Sequence, residues 1–115
     1  MANRYDIQIN QGATFSLTAT WKDSTGAAVN LTGYTARMQV RSTYDAATTI
    51  LSLTSGSGIT LGGAAGTIDI TVSATTTAGL TAPWAGAYDL ELVSGGGVVT
   101  RLLEGSATVS PEVTR

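Results

Sequence analysis

The residues best spaced for chemistry are two carboxylates, Asp89 and Glu91. One residue separates them, so on a strand they share a face about 7 Å apart. That is the separation of an acid–base pair. They alternate with Tyr88, Leu90 and Leu92, an apolar stripe that turns both acids toward water. A raised pKa needs burial, so a solvated strand face is the better reading. Serines and threonines abound, but a nucleophilic hydroxyl needs a base beside it. The sole lysine, Lys22, is the one conceivable lysine partner.

The chain has no His and no Cys. The first absence removes the commonest general base and the commonest transition-metal ligand together. The second excludes disulfides and thiolate zinc sites. The other acids, Asp6, Asp23, Asp45, Asp69, Glu104 and Glu112, are dispersed, whereas a calcium loop concentrates them. The expectation is no enzyme, no cofactor, and no catalytic, cofactor-binding or metal residues.

Gly56-x-Gly58 followed by Gly62-Gly63 fits neither the dinucleotide fingerprint nor the P-loop, and no helix follows. It reads as a turn. Asn30-Leu31-Thr32 matches a glycosylation sequon by chance in a Thr-rich chain. Phe15, Trp21 and Tyr88 lie on apolar stripes and read as core. Trp84, beside Pro83, reads as a plug over one end of the fold. With Tyr44 it could also form a stacking pair for a sugar or receptor.

The elements that carry these residues have a period of two. Tyr5, Ile7 and Ile9 alternate with polar neighbours, as do Phe15, Leu17, Ala19 and Trp21. Further strands are predicted over residues 34–41, 49–53, 59–61, 67–73, 87–93, 98–104 and 106–110, with a short extended piece at 28–31. Turns fall at 23–26, 32–33, 55–58, 62–66, 82–86 and 94–97. Residues 42–48 read as a loop. One short helix is expected over 74–80, capped by Thr75 or Thr76 and ended by Gly79. Gly105 reads as a bulge or bend, and Pro111 stops the last ladder. Strands 87–93 and 98–104 form the safest hairpin. Seven to nine short strands with frequent turns predict an all-β, immunoglobulin-like antiparallel sandwich. At 115 residues it is one domain, with residues 1–6 and 111–115 as contact arms.

Charged residues make up only 12% of the chain, against the usual quarter. Such a surface suits a domain packed beside neighbours more than one relying on charge for solubility. The net charge of −2, with no basic stripe, argues against nucleic acid. No apolar run approaches the ~18 residues that span a bilayer, and the polar start lacks a leader pattern. The expectation is synthesis in a cytoplasm and no membrane partner.

Several segments together resemble a known family. They are Asn10-Gln11-Gly12-Ala13-Thr14-Phe15, Trp21-Lys22-Asp23-Ser24-Thr25-Gly26, the run Leu31 to Arg41, Gly86 to Leu92, and Gly105 to the C-terminus. They resemble small tailed-bacteriophage virion structural proteins and the immunoglobulin-like N-terminal domain of phage baseplate upper proteins. The resemblance implies a β-sandwich that plugs into a virion and joins its parts. It supplies no catalytic residues. Its partners would be other virion proteins of tail, baseplate, fibre or capsid, and further copies of itself. Baseplate upper proteins continue into stalk regions and this chain stops after one domain. That favours an adaptor of the tail, baseplate or fibre, with a capsid decoration protein as the alternative. A carbohydrate- or receptor-binding module is the alternative of another class.

Overall fold

The structure, a computed structural model, describes residues 3–43 and 45–113. In chain order the strands are β1 (Asn3–Arg4), β2 (Ile7–Asn10), β3 (Phe15–Thr20), β4 (Thr35–Arg41), β5 (Leu51–Ser55), β6 (Gly58–Leu61) and β7 (Thr67–Val72). A short helix α1 (Ala74–Ala78) then leads to β8 (Trp84–Val93) and β9 (Val99–Ser110). The hydrogen-bonded order is β1-β9-β8-β4-β5-β6-β7-β3, with β2 continuing the line of β1 along β9.

This path folds over where β5 meets β6. The joint is only two residue pairs wide, Thr54 with Gly58 and Ser55 with Ile59. Gly56 (φ +85°) and Gly58 (φ +96°) supply the left-handed backbone that the reversal needs. One layer therefore holds β1, β2, β9, β8, β4 and β5. The other holds β6, β7 and β3.

The alternating side chains close the space between the layers. Ile9, Met38, Val40, Leu90 and Leu92 from the first layer are fully buried, as are Ile59, Ile68 and Ile70 from the second. Burying each such side chain contributes about 1.5–3 kcal/mol. Phe15, Leu17 and Ala19 of β3 are only half buried, because β3 ends its layer. Tyr88 is core as expected, whereas Phe15 and Trp21 pack against the core from its rim.

Several boundaries differ from the sequence reading. Residues 82–86 are not all turn: β8 begins at Trp84 and pairs it with Val109. Residues 28–31 form no strand, only a bridge between Lys22 and Ala28. Helix α1 is capped by Ser73, whose hydroxyl accepts from the Thr76 amide at 3.2 Å, while Gly79 ends it. The β-bulge lies at Leu102, where the pairing slips between Leu90 and Glu91. Gly105 instead faces inward opposite Tyr88, and a Cβ there would sit 2.5 Å from the Tyr5 carbonyl oxygen.

The described part of the N-terminal arm lies in the sheet. Asn3 and Arg4 pair in parallel with Leu103 and Glu104, and the Asp6 carboxylate accepts from the Ser106 amide at 3.0 Å. Met1, Ala2, Thr114 and Arg115 lie outside the described residues.

Candidate functional site

The outer face of the larger layer gathers much of the chain's scarce charge. The cause is the alternation itself: Met38 and Val40 point in, so Arg37, Gln39 and Arg41 point out. Asp89 and Glu91 point out between Tyr88, Leu90 and Leu92. Strand pairing then sets Arg37 opposite Glu91 and Gln39 opposite Asp89. The bulge at Leu102 restores the phase of β9, so Arg101 falls opposite Glu91 and Glu104 opposite Asp89.

The result is an interleaved ion-pair network. Arg37 Nε donates to Glu91 Oε1 at 2.8 Å. Arg101 pairs with Asp89 Oδ2 at 3.4 Å and with Glu104 Oε1 at 3.2 Å. Arg41 donates to Gln39 Oε1 at 2.8 Å and to the Ala46 carbonyl at 2.5 Å. Two guanidinium groups, Arg37 and Arg101, thus pair with three carboxylates, and Arg41 lies beside them. Exposed pairs of this kind stabilise the fold by about 0.2–1 kcal/mol each.

Asp89 has the perturbed carboxyl of this face. Partial burial pushes it above its ordinary value, the Glu91 carboxylate adds to the shift, and Arg101 opposes it. Each acid has a guanidinium partner, and the hollow lined by Gln39, Arg41, Asp89, Arg101 and Glu104 holds only about 170 Å³. Among the described residues no three acids converge on a metal position.

Trp84 belongs to β8, and its indole lies across Gly86, 2.3 Å from where a Cβ would sit. It packs against the core at one end. Its outer side shares a shallow depression of about 450 Å³ with Gln8, Pro83, Thr108 and Pro111. Tyr44, the second proposed stacking group, lies outside the described residues. Lys22 is exposed beside its bridge to Ala28. The Asn30 side chain is engaged locally, accepting from the Thr32 amide at 3.0 Å and the Thr32 hydroxyl at 2.7 Å.

The sequence reading placed Asp89 and Glu91 on one outward face. It did not bring Arg37, Arg101 and Glu104 to them, because strand neighbours are set by register and the bulge shifts that register by one residue. The alternation of Arg37 and Arg41 with the β4 core stripe was the available signal.

No protein-family model matches the chain, and no curated protein matches it. Solved structures do. One, of the extracellular domains of the voltage-gated sodium channel β4 subunit, superposes with a TM-score of 0.52 at 15% identity, covering 98% of this chain and 96% of that one. The fold is immunoglobulin-like. That structure is described as parallel homodimers that explain a role in cell–cell adhesion. Tim-1 is a second similar structure, at 14% identity and a TM-score of 0.44, covering 100% of this chain and 99% of that one.

The sodium channel β4 structure is an extracellular domain of the same fold and not a phage protein, and this corrects the resemblance to tailed-phage virion proteins. The physical reason lies in the segments that carried it. Gly12 (φ +82°) and Gly33 (φ +84°) serve turns, and Ala36, Met38 and Val40 form a buried stripe. Such residues encode turns and a core, which the sandwich needs whatever its lineage.

Proposed function

We propose that this chain is a non-enzymatic interaction module, an adaptor that joins protein components through its outer surfaces. The observation that supports it is the charged face of β4, β8 and β9, where Arg37 and Arg101 interleave with Asp89, Glu91 and Glu104. On a chain with 12% charged residues this is a concentrated pattern. Interleaved charge selects partners and fixes orientation more than it adds affinity. The adhesion role described for the sodium channel β4 domain belongs to a protein of the same fold and is in keeping with this reading. The charge-poor remainder of the surface suits an array of repeated copies, where weak contacts add up.

The test is co-assembly. The complex that contains the chain is isolated from cells producing either the wild type or the double variant Arg37→Glu, Arg101→Glu. The variant should keep its circular dichroism spectrum and be absent from the complex. Incorporation at wild-type stoichiometry would remove the charged face from the proposal. Hydrolytic turnover lost specifically on Asp89→Asn would overturn the non-enzymatic reading.

A further inference from the structure

The open edge of β3 is a second interaction surface, independent of the charged face. Among the described residues β3 has one strand neighbour, β7. Its other side shows unpaired main chain. The direction of those groups follows from the pairing. The Trp21 amide donates to Gly66 O on the β7 side at 2.9 Å. Main-chain groups alternate sides along a strand, so Phe15, Leu17 and Ala19 serve the β7 ladder. The N–H and C=O groups of Ser16, Thr18 and Thr20 point to the open edge.

Proteins guard such edges with charge, Pro or bulges. The opposite edge of the fold is interrupted between β1 and β2 and carries Arg4 and Asp6, paired at 3.2 Å. The β3 edge has no such guard, since residues 11–21 contain no charge and no Pro.

We propose that this edge pairs antiparallel with the β3 edge of a second copy of the chain, across a two-fold axis at Thr18. The edge is complementary to itself. A two-fold register must keep the half-buried residues on the inner face, or every side chain changes sides. Any axis centred on a residue does so, and axes away from the middle of β3 use fewer of the outward groups. An axis at Leu17 pairs Ser16 with Thr18 and makes about four main-chain hydrogen bonds. An axis at Thr18 pairs Thr18 with itself and Ser16 with Thr20, using every outward group and making about six. It also sets Leu17 against Ala19 and Phe15 against Trp21, covering apolar side chains that β7 leaves half exposed. No like charges meet, because Lys22 falls opposite Thr14. Edge pairing of six residues buries less than the ~1,600 Å² of a standard interface. The dimer is therefore weak and concentration-dependent.

The test exploits the absence of cysteine. Thr18→Cys places two thiols on the axis, with Cα atoms about 5.5 Å apart, within disulfide range. At about 1 mM protein it should form a disulfide dimer at least about tenfold faster than Ser52→Cys, an exposed control on β5. In the wild type, hydrogen exchange at the Ser16, Thr18 and Thr20 amides should slow between about 10 μM and 1 mM. Thr18→Lys, which sets two ammonium groups across the axis, should remove that slowing. Equal disulfide rates, or amide exchange independent of concentration, would overturn the proposal. Protection that appears only in a complex with a different protein would assign the edge to a foreign strand and overturn it equally. Co-assembly through the charged face would survive any of these results.

Discussion

The hydroxyl of Thr77 accepts from the Gly12 amide at 3.1 Å and donates to the neighbouring Ala13 carbonyl at 2.9 Å. Thr77 lies in α1 and is fully buried, while Gly12 lies in the turn between β2 and β3. One side chain thus ties the crossover helix to the first turn of the sandwich. The same turn is held by Gln11, whose side chain donates to the Leu80 carbonyl at 2.9 Å and accepts from the Glu112 amide at 3.0 Å.

Thr77→Val keeps the shape and removes the hydroxyl. It leaves the half-buried Gly12 amide and the carbonyl of exposed Ala13 without this partner. The expected loss is that of the hydrogen bonds themselves, about 0.5–1.5 kcal/mol. Urea denaturation checks it, with a lower midpoint and an unchanged slope.

Gly86 faces the core end of β8, where a Cβ would meet the Arg41 carbonyl oxygen at 2.2 Å and the Trp84 ring at 2.3 Å. Backbone cannot yield as a flexible side chain can. Gly86→Ala should therefore destabilise by about 1–3 kcal/mol. In a Trp21→Phe background it should also shift Trp84 fluorescence, because the indole must leave its place.

The Tyr88 hydroxyl donates to the Tyr5 carbonyl. Burial, with the Asp6 carboxylate adding to it, pushes this phenol up from 10.0 to about 12. The unfolded chain loses the proton first, so stability is whole below pH 10 and declines as pH rises toward 12. Tyr88→Phe has no proton to lose. Alkaline melting curves should converge, with the wild type ahead at neutral pH and its advantage gone at the upper end.

Asp6 is shifted the opposite way. The Ser106 amide, and next to it the Arg4 guanidinium, hold its carboxyl below 3.8. The stabilisation is present above that ordinary value and is lost as pH falls through the depressed one. Asp6→Asn keeps an acceptor oxygen and drops the charge. Its melting temperature should lie below that of the wild type at neutral pH and approach it under acid conditions. A gap that widened on acidification would contradict this assignment.

Strand content and inward-facing residues were legible from period-two patterning alone. Ile7, Ile9, Met38, Val40, Ile68, Ile70, Leu90 and Leu92 are buried, and β8 and β9 form the hairpin expected around the Ser94–Gly97 turn, where the Gly97 amide donates to Ser94 O at 3.0 Å. The start of β8 was not legible. Ala82-Pro83-Trp84-Ala85-Gly86 carries turn residues, and only the ladder to β9 and the indole over Gly86 make residues 84–86 strand. Gly105 was readable as special, but its reason, the approach of the Tyr5 carbonyl, comes from a segment a hundred residues away in the chain.

What the residues determined by themselves was which side of each strand is greasy, since side-chain direction alternates within one strand and needs no partner. Which strand lies beside which was decided in three dimensions. A one-residue bulge at Leu102 chooses the neighbours of Asp89 and Glu91. The layer order leaves β3, and not another strand, at an open end. Both depend on contacts between residues far apart in the chain, whose register no local pattern encodes.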